Sequence, residues 1–367
     1  MKKLQNLASL GIILIGFLTL SNLTAQTTSS SSLYFPPIGE ENWEKMPVNQ
    51  TGWDQGKLGE FLAWMETTNT RAFIILKDGK IVVEEYSGNR LTGLGPMNES
   101  SLWYWASAGK TLTATLIGIA EEEKLLKRND RTQKYLGKGW TAMSSKQEKA
   151  IRLIHHLTMT TGLNDQGVDL DDPDPSSLTF LAKPGSRWSY HNAPYTLLKN
   201  VLEVASGQSF ETYFKEKIGD PIGMGGFWQR TGKNHVFYSN ARSMARFGLL
   251  LLAQGQWEGK QLVNRSFIRE MTSSSQGLNP SYGFLTWLNG QSFFKLPAVQ
   301  RQIEGALVPS APKDMFQAMG RNGQFLMVVP SENLVIVRMG AHSDTSLIPY
   351  LLIRDIWDRF APVIQKD

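Results

Sequence analysis

The sequence predicts an α/β chain with an all-α lobe: one antiparallel sheet, built from N- and C-terminal strands and flanked by helices, with a helical insertion between them. Three observations predict it. Two apolar runs joined through Asp-Gly lie within 71–86, helical periodicity dominates about 107–255, and two more apolar runs lie within 325–337. The 367 residues, 41% hydrophobic and 19% charged, suffice for a core of ordinary size, which excludes disordered, collagen-like and coiled-coil chains.

In chain order, Lys2 and Lys3 precede an apolar stretch from Leu10 to Leu20, which ends in Ser21-Asn22 and Leu23-Thr24-Ala25. This is the pattern of a secretory signal peptide over 1–25, too short for a membrane span. It predicts export to the periplasm or the medium; an uncleaved anchor helix is the alternative. Cleavage after Ala25 removes two basic and no acidic residues, so the formal charge of +5 becomes +3. No basic run longer than two remains, so no nucleic acid partner is expected, nor a stable membrane anchor after cleavage. The absence of cysteine rules out disulfides, thiolate metal sites and a cysteine nucleophile.

Residues 26–40, Ser/Thr-rich and then Phe35-Pro36-Pro37, read as a flexible lead-in to one domain over 41–367. Phe73-Ile74-Ile75-Leu76 and Ile81-Val82-Val83 flank Lys77-Asp78-Gly79-Lys80, a hairpin signal because glycine accepts the positive φ of a tight turn. Thr111–Leu126, Thr196–Ala205 and Ser243–Ala253 carry apolar residues at helical spacing, and the helical lobe is expected over roughly 120–240. Phe325–Val329 and Leu334–Val337, joined through Pro330-Ser331-Glu332-Asn333, return to strand, and a last helix is expected near 346–360.

Three constellations could carry chemistry. In Ser107-Ala108-Gly109-Lys110, a spacing of three on a helix lets the lysine amine reach the serine hydroxyl. Ser292–Lys295 and Ser310–Lys313 have the same spacing, but the former is strand-like and Pro312 interrupts the latter. Ser107 alone opens a long apolar helix, although a plain helix cap would look the same. Tyr190 and Asn192, two apart after the Pro184-Gly185 turn, can share one side of an extended segment. There Tyr190 could relay a proton and the Asn192 amide could hold a substrate carbonyl, or Tyr190 could be a buried structural residue. Gln317–Gln324 contains Gly320 and Gly323, which let a backbone N–H approach a ligand or simply form a turn.

Together, in this order, the three resemble the serine-reactive penicillin-recognising family. The match is to its class C β-lactamase-like branch, with D-aminopeptidases, carboxylesterases and 6-aminohexanoate-dimer hydrolases. The resemblance spans about residues 60–360 and includes Ile154–Leu163 and Ser239–Gly248. It implies a β-lactamase/transpeptidase-like fold and no cofactor. Ser107 would be the acylated nucleophile, Lys110 its base, Tyr190 the partner in proton transfer, and the backbone N–H groups of Ser107 and Arg321 the oxyanion hole. Gly320 and Asn192 would contact substrate.

The triplet Ala318-Met319-Gly320 stands where β-lactamases carry Lys-Thr-Gly or His-Thr-Gly, so the cation and hydroxyl that anchor a penicillin carboxylate are missing. Arg321 is adjacent, but one residue further along a strand its side chain would point the other way. The expected reaction is hydrolysis of a small ester or linear amide. A β-lactamase or D,D-peptidase acting on cell-wall peptides is the first alternative, and a non-catalytic binding protein the second.

No Gly-x-Ser-x-Gly elbow is present, so an α/β-hydrolase is not expected; of the five histidines, His155 and His156 read as structural, and His191 as pointing away from Tyr190 and Asn192. Asp169–Asp174 lacks the continuation of an EF-hand and reads as a solvated loop that borders the cleft. Trp105 and Trp188, close to the two motifs, are either core residues or an aromatic wall for an apolar acyl group.

Overall fold

The computed structural model describes residues 33–39, 42–344 and 346–365; the signal segment at 1–25 lies outside the described residues. Its main sheet has six strands: β1 (Thr70–Lys77), β2 (Lys80–Tyr86), β6 (Trp287–Leu288), β7 (Phe316–Gly320), β8 (Gln324–Val329) and β9 (Leu334–Gly340). They lie in the order β2-β1-β9-β8-β7-β6, every neighbour antiparallel, so both ends of the chain build one sheet as expected. The β1–β2 turn uses Asp78 and Gly79 at φ 52° and 85°. A Cβ on Gly79 would also lie 1.9 Å from the carbonyl oxygen of Tyr34, so glycine is required twice over.

Strand alternation assigns the two faces. Phe73 and Met327, on one face, meet helix α1 (Gln55–Thr67) through Phe61 and helix α5 (Tyr350–Ile364) through Trp357. Leu326 and Val335, on the other, meet helix α4 (Ala241–Leu252) at Gly248, where a Cβ would lie 2.5 Å from Val335 and 2.6 Å from Leu326. Both faces are therefore covered, and Ala72–Leu76 are all buried.

Between β2 and β6 the chain forms helix α2 (Gly109–Glu122), several short helices, and helix α3 (Asn192–Ser206). A second small core of Trp140, Ile151, Leu163, Leu178 and Ala193 lies within this lobe. His156 ties it together, with Nδ1 on the Pro194 carbonyl at 2.7 Å and Nε2 on Thr132 Oγ1 at 2.9 Å. The stretch expected to be helical also holds two strands, β4 (Phe227–Thr231) and β5 (Asn234–Ser239), which join β3 (Trp103–Tyr104) in the order β3-β5-β4.

The lead-in is not free over its described part. Buried Arg246 donates to the carbonyls of Pro36 (3.1 Å), Pro37 (2.8 Å) and Ile222 (2.9 Å), and Phe35 packs on Trp257. A polar run before two prolines gave no sign of this distant clamp. Among the described residues, no helix is long and apolar enough to cross a membrane.

Candidate active site

Strand β3 leads into a single 3₁₀ turn, Ala106–Ala108, that feeds α2. Ala106 has φ 48°, a left-handed conformation that costs a non-glycine residue about 1–3 kcal/mol. Ser107 sits in this turn, and Lys110, one turn on, donates to its Oγ at 2.8 Å. Every residue from Gly109 to Ala120 is buried, so the lysine amine is held away from water with only 3% of the residue exposed.

That burial pulls the Lys110 pKa down to about 7, with the negative charge of Asp171 pulling the other way. The amine lies 4.4 Å from the ring centre of Tyr195 and 5.0 Å from that of Tyr190. The Tyr190 ring stacks on Trp287 at 5.8 Å, and the nearby Ser107 hydroxyl and Trp287 indole both favour its phenolate. Burial nevertheless raises the Tyr190 pKa well above the usual phenol range, and Tyr195 is pushed up to about 12. At neutral pH the amine is therefore partly deprotonated while both phenols keep their protons.

The last residue of β7, Gly320, abuts the serine turn. A Cβ there would lie 2.4 Å from the Trp105 carbonyl oxygen and 3.1 Å from the Ala108 nitrogen. Its φ of −132° suits any residue, so the requirement is for space alone. The strand ends at this glycine and the chain enters a tight turn, Arg321–Gly323, with Asn322 at φ 62°. Arg321 therefore lies in this turn rather than on the strand, so strand alternation does not set the direction of its side chain, and the residue borders the cleft.

Several bonds fix this turn. The fully buried guanidinium of Arg338 donates to the carbonyls of Asn322 (3.1 Å) and Gly323 (2.8 Å), Gln324 Nε2 donates to that of Arg321 (3.2 Å), and Asn322 Nδ2 donates to the Tyr104 hydroxyl (2.7 Å).

The cleft beside Ser107 measures about 420 Å³. Lys110, Asp171, Asn192 and Tyr195 give it a polar side, while Leu91, Tyr104, Tyr238 and Leu347 add apolar surface. A larger hollow, about 660 Å³, is lined by other residues around Arg128, whose guanidinium is spent on Glu121 and Glu270 at 2.6 Å each.

Asn192 lines the cleft and donates one of its two amide N–H groups to Asp171 Oδ1 at 2.6 Å, while its Oδ1 is buried without a partner. Two expectations need correction. Trp105 is fully buried, its indole N–H on Ser239 Oγ at 2.8 Å and its ring against Phe237 and Phe247. Trp188 is 1% exposed, packed behind Tyr190 against Tyr282 and Trp287. Neither tryptophan lines the cleft.

Two residues that touch the reactive groups, Tyr195 and Trp287, had no signal beyond being aromatic. Of the histidines, His155, His156 and His191 are driven to about 4 by burial and are neutral at pH 7. His191 is buried, and His235 lines the cleft.

The sequence model of the family described as Beta-lactamase matches residues 65–345. An uncharacterized protein of Alkalihalophilus pseudofirmus is 27% identical over 300 residues, 72% of this chain and 81% of that one. Among solved structures, a proposed 6-aminohexanoate-dimer hydrolase from Bacillus anthracis superposes with a TM-score of 0.67 at 19% identity, covering 90% of this chain and 89% of that one. A family VIII carboxylesterase superposes with a TM-score of 0.64 at 17% identity, covering 87% of this chain and 99% of that one.

Proposed function

Because the chain belongs to the β-lactamase family of serine hydrolases, we propose that it cleaves a small ester or linear amide through an acyl-enzyme on Ser107. The observation that carries this reading is the 2.8 Å bond between Ser107 Oγ and a buried amine whose pKa is pulled down to about 7. A neutral lysine is a base; a charged one is not.

In the first half-reaction Lys110 accepts the Ser107 proton as Oγ bonds to the substrate carbonyl carbon. The oxyanion is stabilised by the backbone N–H groups of Ser107 and Arg321, whose turns meet at Gly320. The proton then passes from Lys110, with the hydroxyl of Tyr190 as relay, to the departing alcohol or amine as its bond to carbon breaks. In the second half-reaction water gives its proton to the same pair, adds to the acyl carbon, and expels Ser107 with the proton restored. Tyr190 acts as a neutral phenol, since burial holds it protonated.

The names of the two structural relatives favour the ester and linear-amide reading over penicillins. So do the buried Ala318 and Met319, which offer neither cation nor hydroxyl where a β-lactam carboxylate would be anchored. The purified protein is expected to cleave nitrophenyl acetate at least about 100-fold faster than it opens nitrocefin, a gap of about 2.7 kcal/mol. Comparable rates on the two would reverse the choice between these substrate classes.

Export belongs to the same reading. Expressed in a bacterial host, the chain should appear outside the cytoplasm with Gln26 at its N-terminus. An intact Met1 in that fraction would argue for the uncleaved anchor.

A further inference from the structure

Gln324 is fully buried, and both ends of its amide are in use. Nε2 donates to the carbonyls of Arg321 (3.2 Å) and Gly340 (2.7 Å), and Oε1 accepts the Gly340 N–H at 3.0 Å. A flipped amide would set like against like at all three contacts, so the orientation follows from the partners. The backbone is committed as well, because Gln324 opens β8 as the ladder partner of Gly320.

Arg321 lies between these two grips. The peptide that carries its N–H begins at Gly320, and the next peptide begins at the carbonyl held by Gln324 Nε2. Peptide units are planar, so holding the one on each side of the Arg321 Cα fixes where that N–H points.

The serine side meets the same anchor. Strand β3 leads into the Ser107 turn, and the indole N–H of its Trp103 donates to the Gly340 carbonyl at 3.3 Å. That oxygen accepts Trp103 and Gln324 together, one for each lone pair. Gly340 is itself wedged against the residues that open β1, where a Cβ would lie 2.6 Å from the Asn69 carbonyl oxygen.

We propose that Gln324 is a positioning residue of the oxyanion hole: it ties the Arg321 turn, through the Gly340 carbonyl, to the strand that feeds Ser107, and so sets the separation of the two donors. This deepens, and rests on, the acyl-enzyme reading. Gln324 touches no substrate; it acts through the Arg321 N–H.

The test is Gln324→Met, which fills the same space without a donor. On phenyl acetate kcat is expected to fall about 10–100-fold, with KM within about twofold. Acylation and deacylation both pass through an oxyanion, so the two slow together. Phenylboronic acid gives a second reading. Ser107 Oγ adds to boron as Lys110 takes its proton, which leaves a tetrahedral boronate with a hydroxyl in the place of the oxyanion. Its inhibition constant should rise by the same factor as kcat/KM falls.

Glu148→Met is the control for lost stability. Glu148 is 3% exposed and also makes three hydrogen bonds, to Gly139 N–H (3.1 Å) and to the N–H and hydroxyl of Thr141 (3.1 and 3.0 Å), and none of these residues lines the cleft. It should lower Tm and leave kcat unchanged. If Gln324→Met does not fold, Trp103→Phe decides the question from the other end of the link, with an expected fall in kcat of about 3–10-fold at unchanged KM. Full kcat in the folded variant, or an equal loss of kcat in Glu148→Met, would overturn the positioning role. Either result leaves the acyl-enzyme reading standing, because wild type and Ser107→Ala report on it separately. Folded wild type that cleaves no phenyl acetate would overturn both.

Discussion

Ser107→Ala and Lys110→Met will each lower kcat on a phenyl ester by about 10⁴–10⁶-fold, and the double variant will be little slower than either single one. The near-equality follows from the geometry. The serine hydroxyl is a poor nucleophile unless its proton has somewhere to go, and the amine at 2.8 Å has no other task. Lys110→Arg should be as inactive as Lys110→Met, because a guanidinium keeps its proton at any working pH. A fluorophosphonate should label wild type and leave Ser107→Ala unlabelled.

The same pair sets the pH profile. Burial disfavours the charged amine, so its pKa falls; below about pH 7 Lys110 is an ammonium and cannot accept the serine proton. kcat/KM for a neutral ester should therefore be low in acid, half-maximal near pH 7, and level above it. Asp171 opposes the shift, so Asp171→Asn should move this limb towards lower pH. A limb that stays fixed in that variant and lies near the ordinary lysine range would assign the base elsewhere.

What was legible in the sequence was what short-range chemistry decides. Asp78-Gly79 between two apolar runs can hardly be anything but a hairpin, and Phe325–Val329 with Leu334–Val337 pointed to the matching strands, the second of which runs on to Gly340. The proximity of Ser107 and Lys110 was readable because one helical turn separates them. The strands β4 and β5 were not, because β4 is largely exposed and shows no alternation of apolar and polar residues.

Orientation was lost wherever a strand or a tight turn ended unexpectedly. Arg321 was placed by continuing β7 one residue too far, and the bond from Asn192 to Asp171 was missed because Asp171 lies in a loop with no sequence link to it. Trp188 gave the same signal whether it lined a cleft or, as it does, supported Tyr190 from behind.

Gly320→Ala will lower kcat by about 10²–10³-fold with a small change in KM, the cost of weakening one oxyanion donor by about 2.7–4 kcal/mol. The added methyl meets backbone: the Trp105 carbonyl oxygen at 2.4 Å and the Ala108 nitrogen at 3.1 Å. No rotamer relieves that contact, so the end of β7 and the serine turn must separate, carrying the N–H groups of Ser107 and Arg321 apart. The turn cannot follow as a unit, because Arg338 holds the carbonyls of Asn322 and Gly323 from within the core. The ground state needs little from this hole, whereas the tetrahedral intermediate needs both donors, and so the loss falls on kcat. Gly59→Ala is the matched control, since a Cβ at that helical position meets nothing within 4 Å. It should leave kcat unchanged and add about 0.5–1 kcal/mol of stability. If Gly320→Ala retained full kcat in a folded protein, the two turns would not be the oxyanion hole, and the stabilising donors would have to be sought elsewhere along the cleft.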